Sequence, residues 1–437
     1  MCKKALGKSS ERPQLRIIPR SEHNISRKNL SKNALRVLYG LKDAGYEAYL
    51  VGGGVRDILL GLAPKDFDIV TNATPEEIKK TFRNCRLIGR RFRLAHIVFG
   101  PEIIEVATFR GHHSEDSAGK NQSDHGQLLS DNVYGSIDED AERRDFSANA
   151  LYYNIADFSI YDYWGGVEAI EQRNLDLIGD PETRYREDPV RMLRAVRFAV
   201  KLEMQISERT AKPIKSLAPL LQNIPKARLF EECLKLLLSG QGLETYKMLM
   251  FYQLFQQIFP NLPELDNDKS ATSRLFEQAL KNTDLRLKQG LRITPAFIFA
   301  VLLWYQYQEA FAHYQQQALP DQDAAHLAIS AVLDSGAYNV VIPKRFATTI
   351  REIWILQLRL QFSRGNKALK TLEHPRFRAA YDFLLLRAEV EPDLTELANW
   401  WTQVQKDNPT VKPAQAEQPK RRPRRRRRPA GKNVKTE

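Results

Sequence analysis

Asp66 and Asp68 stand one residue apart in the segment Lys65-Asp66-Phe67-Asp68-Ile69-Val70. Alternate side chains of an extended strand share a face, so the spacing predicts both carboxylates on one side and Phe67 and Ile69 on the other. Paired carboxylates repel unless a cation sits between them, and their hard oxygens suit Mg²⁺. Upstream, Gly52, Gly53 and Gly54 follow the apolar stretch Tyr49-Leu50-Val51. A turn without Cβ atoms lets backbone N–H groups approach a phosphate closely. A short helix over 55–60, closed by Gly61, would aim its positive end at the same place. A phosphate cradle beside a paired-carboxylate metal site is what nucleotidyl transfer by two metal ions requires.

Three further groups of residues bear on that chemistry. Strands are expected over 93–99 and 102–109, joined by Gly100-Pro101, and on the second Ile103, Glu105 and Ala107 share a face. Glu105 reads either as a third metal carboxylate beside Asp66 and Asp68 or as an edge-strand glutamate facing water. The stretch ERRDFSANALYYN (142–154) reads as a helix with Asp145 and Asn149 four residues apart on one face. Arg143 and Arg144 would then sit at its N-terminus, suited to a triphosphate, and the glycine turn, Arg56 and Arg144 are expected to position that triphosphate. A helix over 187–202, with Pro189 in its first turn, carries an apolar stripe of Met192, Val196, Ala199 and Val200. Asp188, Arg191, Arg194 and Arg197 repeat every third residue along another side, and beside a catalytic head they favour nucleotide binding.

The specificity of such a helix follows from its donors and acceptors. Ionised Asp188 only accepts hydrogen bonds and Arg191 only donates. Adenine and cytosine both offer an amino donor next to a ring-nitrogen acceptor. Guanine and uracil present the reverse and would leave buried partners unsatisfied, at about 1–3 kcal/mol per group. The pair is therefore expected to accept ATP and CTP, to reject GTP and UTP, and not to separate A from C.

GGGVRD followed by DFD resembles the signature of the class II nucleotidyltransferases of the polymerase-β superfamily, the group of bacterial poly(A) polymerases and tRNA CCA-adding enzymes. The resemblance to the poly(A) polymerases is the closer. It runs roughly from Arg16 to Trp401, through the IIPRSEHNISR lead-in and the ETRYREDPVRMLRAVRF block, and the Arg-rich tail also fits. It implies Asp66, Asp68 and Asp145 as active-site carboxylates, the last through the RRD motif that also holds Arg144. Glu187, Asp188 and Arg191 match the base-reading EDxxR motif, and Arg228 and Glu232 match a motif that braces it. Mg²⁺ as cofactor, ATP as substrate and RNA 3′ ends as partner follow, with RNA-decay proteins as candidate further partners. The implied activity is template-independent addition of AMP to RNA. The alternative within the group is CCA addition to tRNA; outside it, an RNA-binding adaptor with a degenerate transferase head.

These residues need elements to hold them. The expected fold is an α/β polymerase-β-like head followed by an all-α neck and body, with a disordered basic tail. The expected divisions are a mostly disordered basic segment 1–30, a catalytic head 31–165, a neck 166–240, a body 241–405 and a tail 406–437. Ser31 should cap a helix over 32–44, Thr74-Pro75 should open another, and Tyr163-Trp164-Gly165-Gly166 should turn between head and neck. Residues 111–131, with His112 and His113, read as a mobile loop. Phe299, Leu303 and Tyr307 read as core, and 373–391 as a possible lining for RNA. Net charge is +13, of which 406–437 supply twelve Lys or Arg against three acids, mostly in KRRPRRRRR. Such a run cannot bury apolar surface and attracts a polyanion. Cys2, Cys85 and Cys233 lack metal-ligand spacing, which suits a reducing cytosol, and no membrane span is apparent.

Overall fold

The computed structural model describes residues 15–89, 93–111, 133–260, 262, 270–362 and 364–409. The expectations for the first fourteen residues, for most of the 111–131 loop with His112 and His113, and for the tail from 410 lie outside them. In chain order the elements around the site are β1 (Arg16–Ile18), α1 (Lys32–Asp43), β2 (Ala48–Val51), α2 (Gly53–Leu59), β3 (Asp68–Thr71), α3 (Pro75–Thr81) and β4 (Cys85–Ile88). Next come β5 (Leu94–Phe99), β6 (Glu102–Thr108), α4 (Ile137–Arg143), β7 (Leu151–Asn154), β8 (Ile160–Asp162) and α5 (Gly166–Glu171). Then follow α6 (Pro181–Glu187), α7 (Val190–Leu202) and, after two one-turn helices, α8 (Lys226–Leu237).

The eight strands form one sheet in the order β1-β8-β7-β2-β3-β6-β5-β4. Only the β3–β6 pair in it is parallel, and that pairing sets Asp68 opposite Glu105. β2 is central and buried along its whole length, which suits its uninterrupted apolar sequence Ala-Tyr-Leu-Val. Tyr49, Val51, Val70, Phe109, Ala141, Tyr152 and Tyr163 pack into a cluster on one face. α1 starts where Ser31 accepts from the Ala34 N–H at 3.0 Å and buries Ala34, Val37, Leu38 and Leu41. α3 opens with Pro75 after a reciprocal Thr74–Glu77 capping box.

Local structure departs from expectation where tertiary partners decide. The 142–154 stretch is not one helix: α4 stops at Arg143, Ser147–Asn149 make a single 3₁₀ turn, and Leu151–Asn154 are β7. Tyr152 and Tyr153 favour a strand and find ladder partners on both sides, in β2 and β8. Arg143 and Arg144 consequently sit at a helix C-terminus, not an N-terminus. The 187–202 helix is two, because Asp188 precedes proline and is extended (φ −146°, ψ 94°), ending α6 before α7 begins. β3 starts at Asp68, so Asp66 lies just ahead of the strand and not within it. α2 begins two residues earlier than expected, at Gly53. Residues 15–30, expected to have little order, add β1 to the sheet edge and bury Ile18, Ile25 and Leu30.

The chain divides into two compact units. The first holds the described residues before 269 together with Leu280–Ile293 and Ser335–Ile342. The second comprises the remainder and is helical, with Pro295–Leu302, Trp304–Gln315, Asp321–Leu333, Lys344–Phe362 and Phe377–Ala388 among its helices. Phe299, Leu303 and Tyr307 are core there, as their spacing predicts, and Tyr307 stacks on Trp354 at 4.7 Å between centroids.

Candidate active site

The glycine turn grows from the end of β2. Gly52 adopts φ +68° and ψ −130°, a conformation closed to side chains with a Cβ, and its N–H bonds the Leu151 carbonyl on the neighbouring strand at 3.3 Å. Gly53 then opens α2. Asp66 and Asp68 are both exposed, the first ahead of β3 and the second at its start, with Glu105 in register across the parallel pair. Glu105 does not have the apolar setting its neighbours suggested: β6 buries Ile104 and Val106, while Ile103 on Glu105's own face is 46% exposed. Its Oε1 lies 3.1 Å from His96 Nε2. Although Asp68 is exposed at the surface, neighbouring protein displaces part of the water around its carboxyl and pushes it up to about 6, helped by the charges of Glu105 and Asp66 and opposed by Arg144. Two neighbouring anions raise it, and a dication would reverse that effect. Among the described residues no three His, Cys, Asp or Glu side chains converge tightly enough to cage a metal. The donor set therefore fits Mg²⁺ in its usual protein mode, one or two carboxylates plus substrate phosphates and water.

The basic side of the site is built from residues distant in sequence. Arg56 was expected to reach a triphosphate, but it is only 3% exposed. Its guanidinium is bound by Asp57 and by the Asn149 side-chain carbonyl, and lies 5.1 Å from the Phe198 ring centroid. The face of α2 that bears it turns inward. Asn149 also donates to Asp145 Oδ1 at 3.0 Å, and Asp145 Oδ2 accepts two bonds from Arg194. Burial opposes ionisation of Asp145, yet the Arg194 charge and these bonds win and hold it at about 2. Asp145 is thus a fully engaged anion joining α7 to the loop after α4. Arg197 lies 4.8 Å from the Phe198 centroid, and its Nε is buried without a hydrogen-bond partner among the described residues. Burial first and Arg194 second lower its pKa. A half-buried cation of this kind suits an anionic ligand.

The base-reading candidates flank the α6–α7 break. Asp188 accepts from Arg228 of α8 at 2.7 Å and from the Val190 N–H at 3.2 Å. Arg191 donates to Glu187 at 2.8 Å and to the Arg184 carbonyl at 2.7 Å. Arg228 therefore braces Asp188 as expected, whereas Glu232 is buried, accepts from Lys235 at 2.8 Å and adds a favourable charge for Arg194 and Arg197. Sequence reasoning missed Arg184, whose Nη2 binds the Arg143 and Arg144 carbonyls at 2.9 and 2.6 Å and so caps α4. It also missed Phe198, the ring shared by Arg56, Arg194 and Arg197, and Asp140 and Tyr152 behind Arg144. No local spacing marks any of these. Asp162 holds the glycine corner, accepting from the N–H groups of Trp164, Gly166 and Val167.

Sheet-borne carboxylates beside a glycine turn define a nucleotidyltransferase with a polymerase-β-like head, and a crystal structure shares the architecture. That structure, a Bacillus stearothermophilus CCA-adding enzyme in complex with CTP, aligns with a TM-score of 0.58 at 25% identity, covering 86% of this chain and 82% of that one. Residues 48–176 match the family described as "Poly A polymerase head domain". Residues 203–266 match "Probable RNA and SrmB- binding site of polymerase A", and 317–432 match "Polymerase A arginine-rich C-terminus". Poly(A) polymerase I of Escherichia coli O6:H1 is 55% identical over 93% of this chain and 91% of its own length. The CCA-adding enzyme of Lactobacillus helveticus is 36% identical over 52% of this chain and 54% of its own. The chain belongs to the poly(A) polymerase I family.

Proposed function

We propose that this protein adds AMP from ATP to RNA 3′ ends without a template, releasing pyrophosphate. The observation that carries the chemistry is the placement of Asp66, Asp68 and Glu105 beside the Gly52 turn; family membership along nearly the whole chain favours polyadenylation over CCA addition. Asp66 and Asp68 would hold Mg²⁺, with Glu105 as the neighbouring third acid, and the metal when bound supplies Lewis acidity toward the 3′-hydroxyl and the α-phosphate. Gly53, at the start of α2, presents its backbone N–H to the triphosphate across the turn that Gly52 makes, and Arg144 and Arg197 add charge to it. Asp188 and Arg191 read the adenine edge once Arg191 turns from Glu187 to the base. Asp145, Arg194 and Arg56 hold the frame of the nucleotide site through Asn149 and Phe198.

The divisions into head, neck and body at 165 and 240, the basic tail as an RNA-phosphate arm, RNA-decay proteins as partners and a cytoplasmic location belong to the same proposal. Among the described residues no helix is long and apolar enough to cross a membrane. The test is primer extension with Mg²⁺, offering each nucleotide alone to an unstructured RNA and to a tRNA lacking its CCA end. Long tails from ATP on both RNAs are expected. Addition of C, C and A to the tRNA alone, followed by a halt, would overturn polyadenylation. Asp66→Asn should lower transfer at least a thousandfold while RNA binding persists, and retained activity would remove Asp66 from the metal site.

A further inference from the structure

Arg144 faces the glycine turn, yet it extends from the C-terminal end of α4, where nothing in the local backbone fixes its side chain. Its orientation comes from behind. Nε donates to the Tyr152 hydroxyl at 2.8 Å and to Asp140 Oδ2 at 3.2 Å, and Nη2 donates to the same Asp140 oxygen at 3.0 Å. The Tyr152 hydroxyl in turn donates to Asp140 Oδ2 at 2.7 Å, and the Arg144 Cζ sits 5.1 Å from the Tyr152 ring centroid. Asp140 is anchored separately, since its Oδ1 accepts from the Arg110 N–H at 3.2 Å. Nη1 takes part in none of these bonds. It lies 3.4 Å from the point a Cβ on Gly52 would occupy.

Tyr152 is fully buried and Asp140 is 6% exposed, so neither is placed to touch substrate. Tyr152 stands opposite Val51 in the β2–β7 ladder, one residue before the glycine turn. The clamp and the turn are thereby built on adjacent strands, and a shift of one carries the other. Burial keeps the Tyr152 phenol protonated far above its ordinary range, so it remains a donor to Asp140 at every working pH. An arginine has several rotatable bonds, and fixing two of its three nitrogens leaves the third aimed before ligand arrives.

We infer that Asp140 and Tyr152 are positioning residues for nucleotide binding, which hold Arg144 so that Nη1 meets the triphosphate over Gly52. The inference rests on the nucleotidyltransferase reading of the site and adds to it residues that never touch the nucleotide. Removing the phenolic oxygen leaves the ring in the core, takes the shorter of the two bonds from Arg144 Nε and leaves it only the 3.2 Å contact with Asp140.

The experiment is a double-mutant cycle of Tyr152→Phe with Arg144→Ala in the full chain, reading KM for ATP, kcat, KM for RNA and Tm. Equilibrium binding of inorganic tripolyphosphate in Mg²⁺ is measured alongside. Tyr152→Phe should raise KM for ATP and weaken tripolyphosphate about tenfold, the loss of one hydrogen bond to a charged group. Values of kcat and KM for RNA should stay close to those of the parent, with no more than a modest fall in Tm. In the Arg144→Ala background the same change should do nothing further. Asp140→Asn, which keeps the side-chain shape, should reproduce the KM effect. Equal effects in both backgrounds, or unchanged tripolyphosphate binding, would overturn the inference. If the parent protein extends no RNA, the polymerase reading fails, and the tripolyphosphate arm still decides the role of Tyr152.

Discussion

A carboxyl group pushed up to about 6 in a folded protein carries a measurable signature, and Asp68 has one. Its folded-state pKa lies above the ordinary 3.8, so its contribution to stability is full below about pH 4 and is lost as pH rises through 6. Because the side chain is exposed, solvent screening reduces the effect to about 1 kcal/mol. Without Mg²⁺ the protein should lose that much between about pH 3.5 and 7, Mg²⁺ should restore it, and Asp68→Asn should abolish both trends. Denaturant unfolding at the two pH values checks this, and a Mg²⁺ effect that persists in the variant would remove Asp68 from the metal site. At this scale Asp66, expected on the pleat, lies ahead of β3, while the strand positions of Asp68 and Glu105 were legible from the period alone. Arg56 was not. A guanidinium beside a glycine turn looks like a phosphate ligand, and its burial is decided by Asn149, 93 positions away in sequence.

Elements carry the site only where their boundaries fall correctly, and the start of α5 rests on two small residues. Gly166 opens α5 against the loop after α4, and a Cβ there would overlap the Ser147 carbonyl. Backbone cannot yield as a side-chain tip can, so Gly166→Ala should cost about 2 kcal/mol or more. Thermal unfolding reads that cost, while Gly165→Ala, with φ +67° and open space around it, should cost only about 1 kcal/mol. A smaller loss at Gly166 than at Gly165 would contradict this packing. Capping signals were legible at Ser31 and Thr74 because they act within one turn of chain. The 142–154 stretch was misread because its polar residues recur at helical spacing, whereas the tyrosines that make β7 gain their preference from β2 and β8. The division of 187–202 was in principle readable, since the residue before a proline avoids the helical region.

Across the whole molecule, charge is unevenly distributed along the chain. Residues 406–437 supply a net of about +9 of the total +13, leaving the body nearly balanced. A chain ending at 409 should keep its Tm and its kcat on saturating primer. Its RNA affinity should fall and depend less steeply on salt, because fewer phosphate contacts release fewer counterions. Filter binding from 50 to 300 mM salt checks this, and an unchanged slope would deny the tail a role in RNA binding. The all-helical second unit was legible from periodicity alone, while the strand order of the head was not, since ladder partners have no local signal. That order bears on how the protein is made. Val51 must wait for Tyr152, and Arg16 for Asp162, before either finds its neighbour. At about 5–20 residues per second, the ribosome needs roughly 5–20 seconds to supply the hundred residues that separate β2 from β7. Through that interval the apolar strand that ends in the glycine turn has no β7 beside it, so the nascent head is the part of this protein for which a chaperone would matter most.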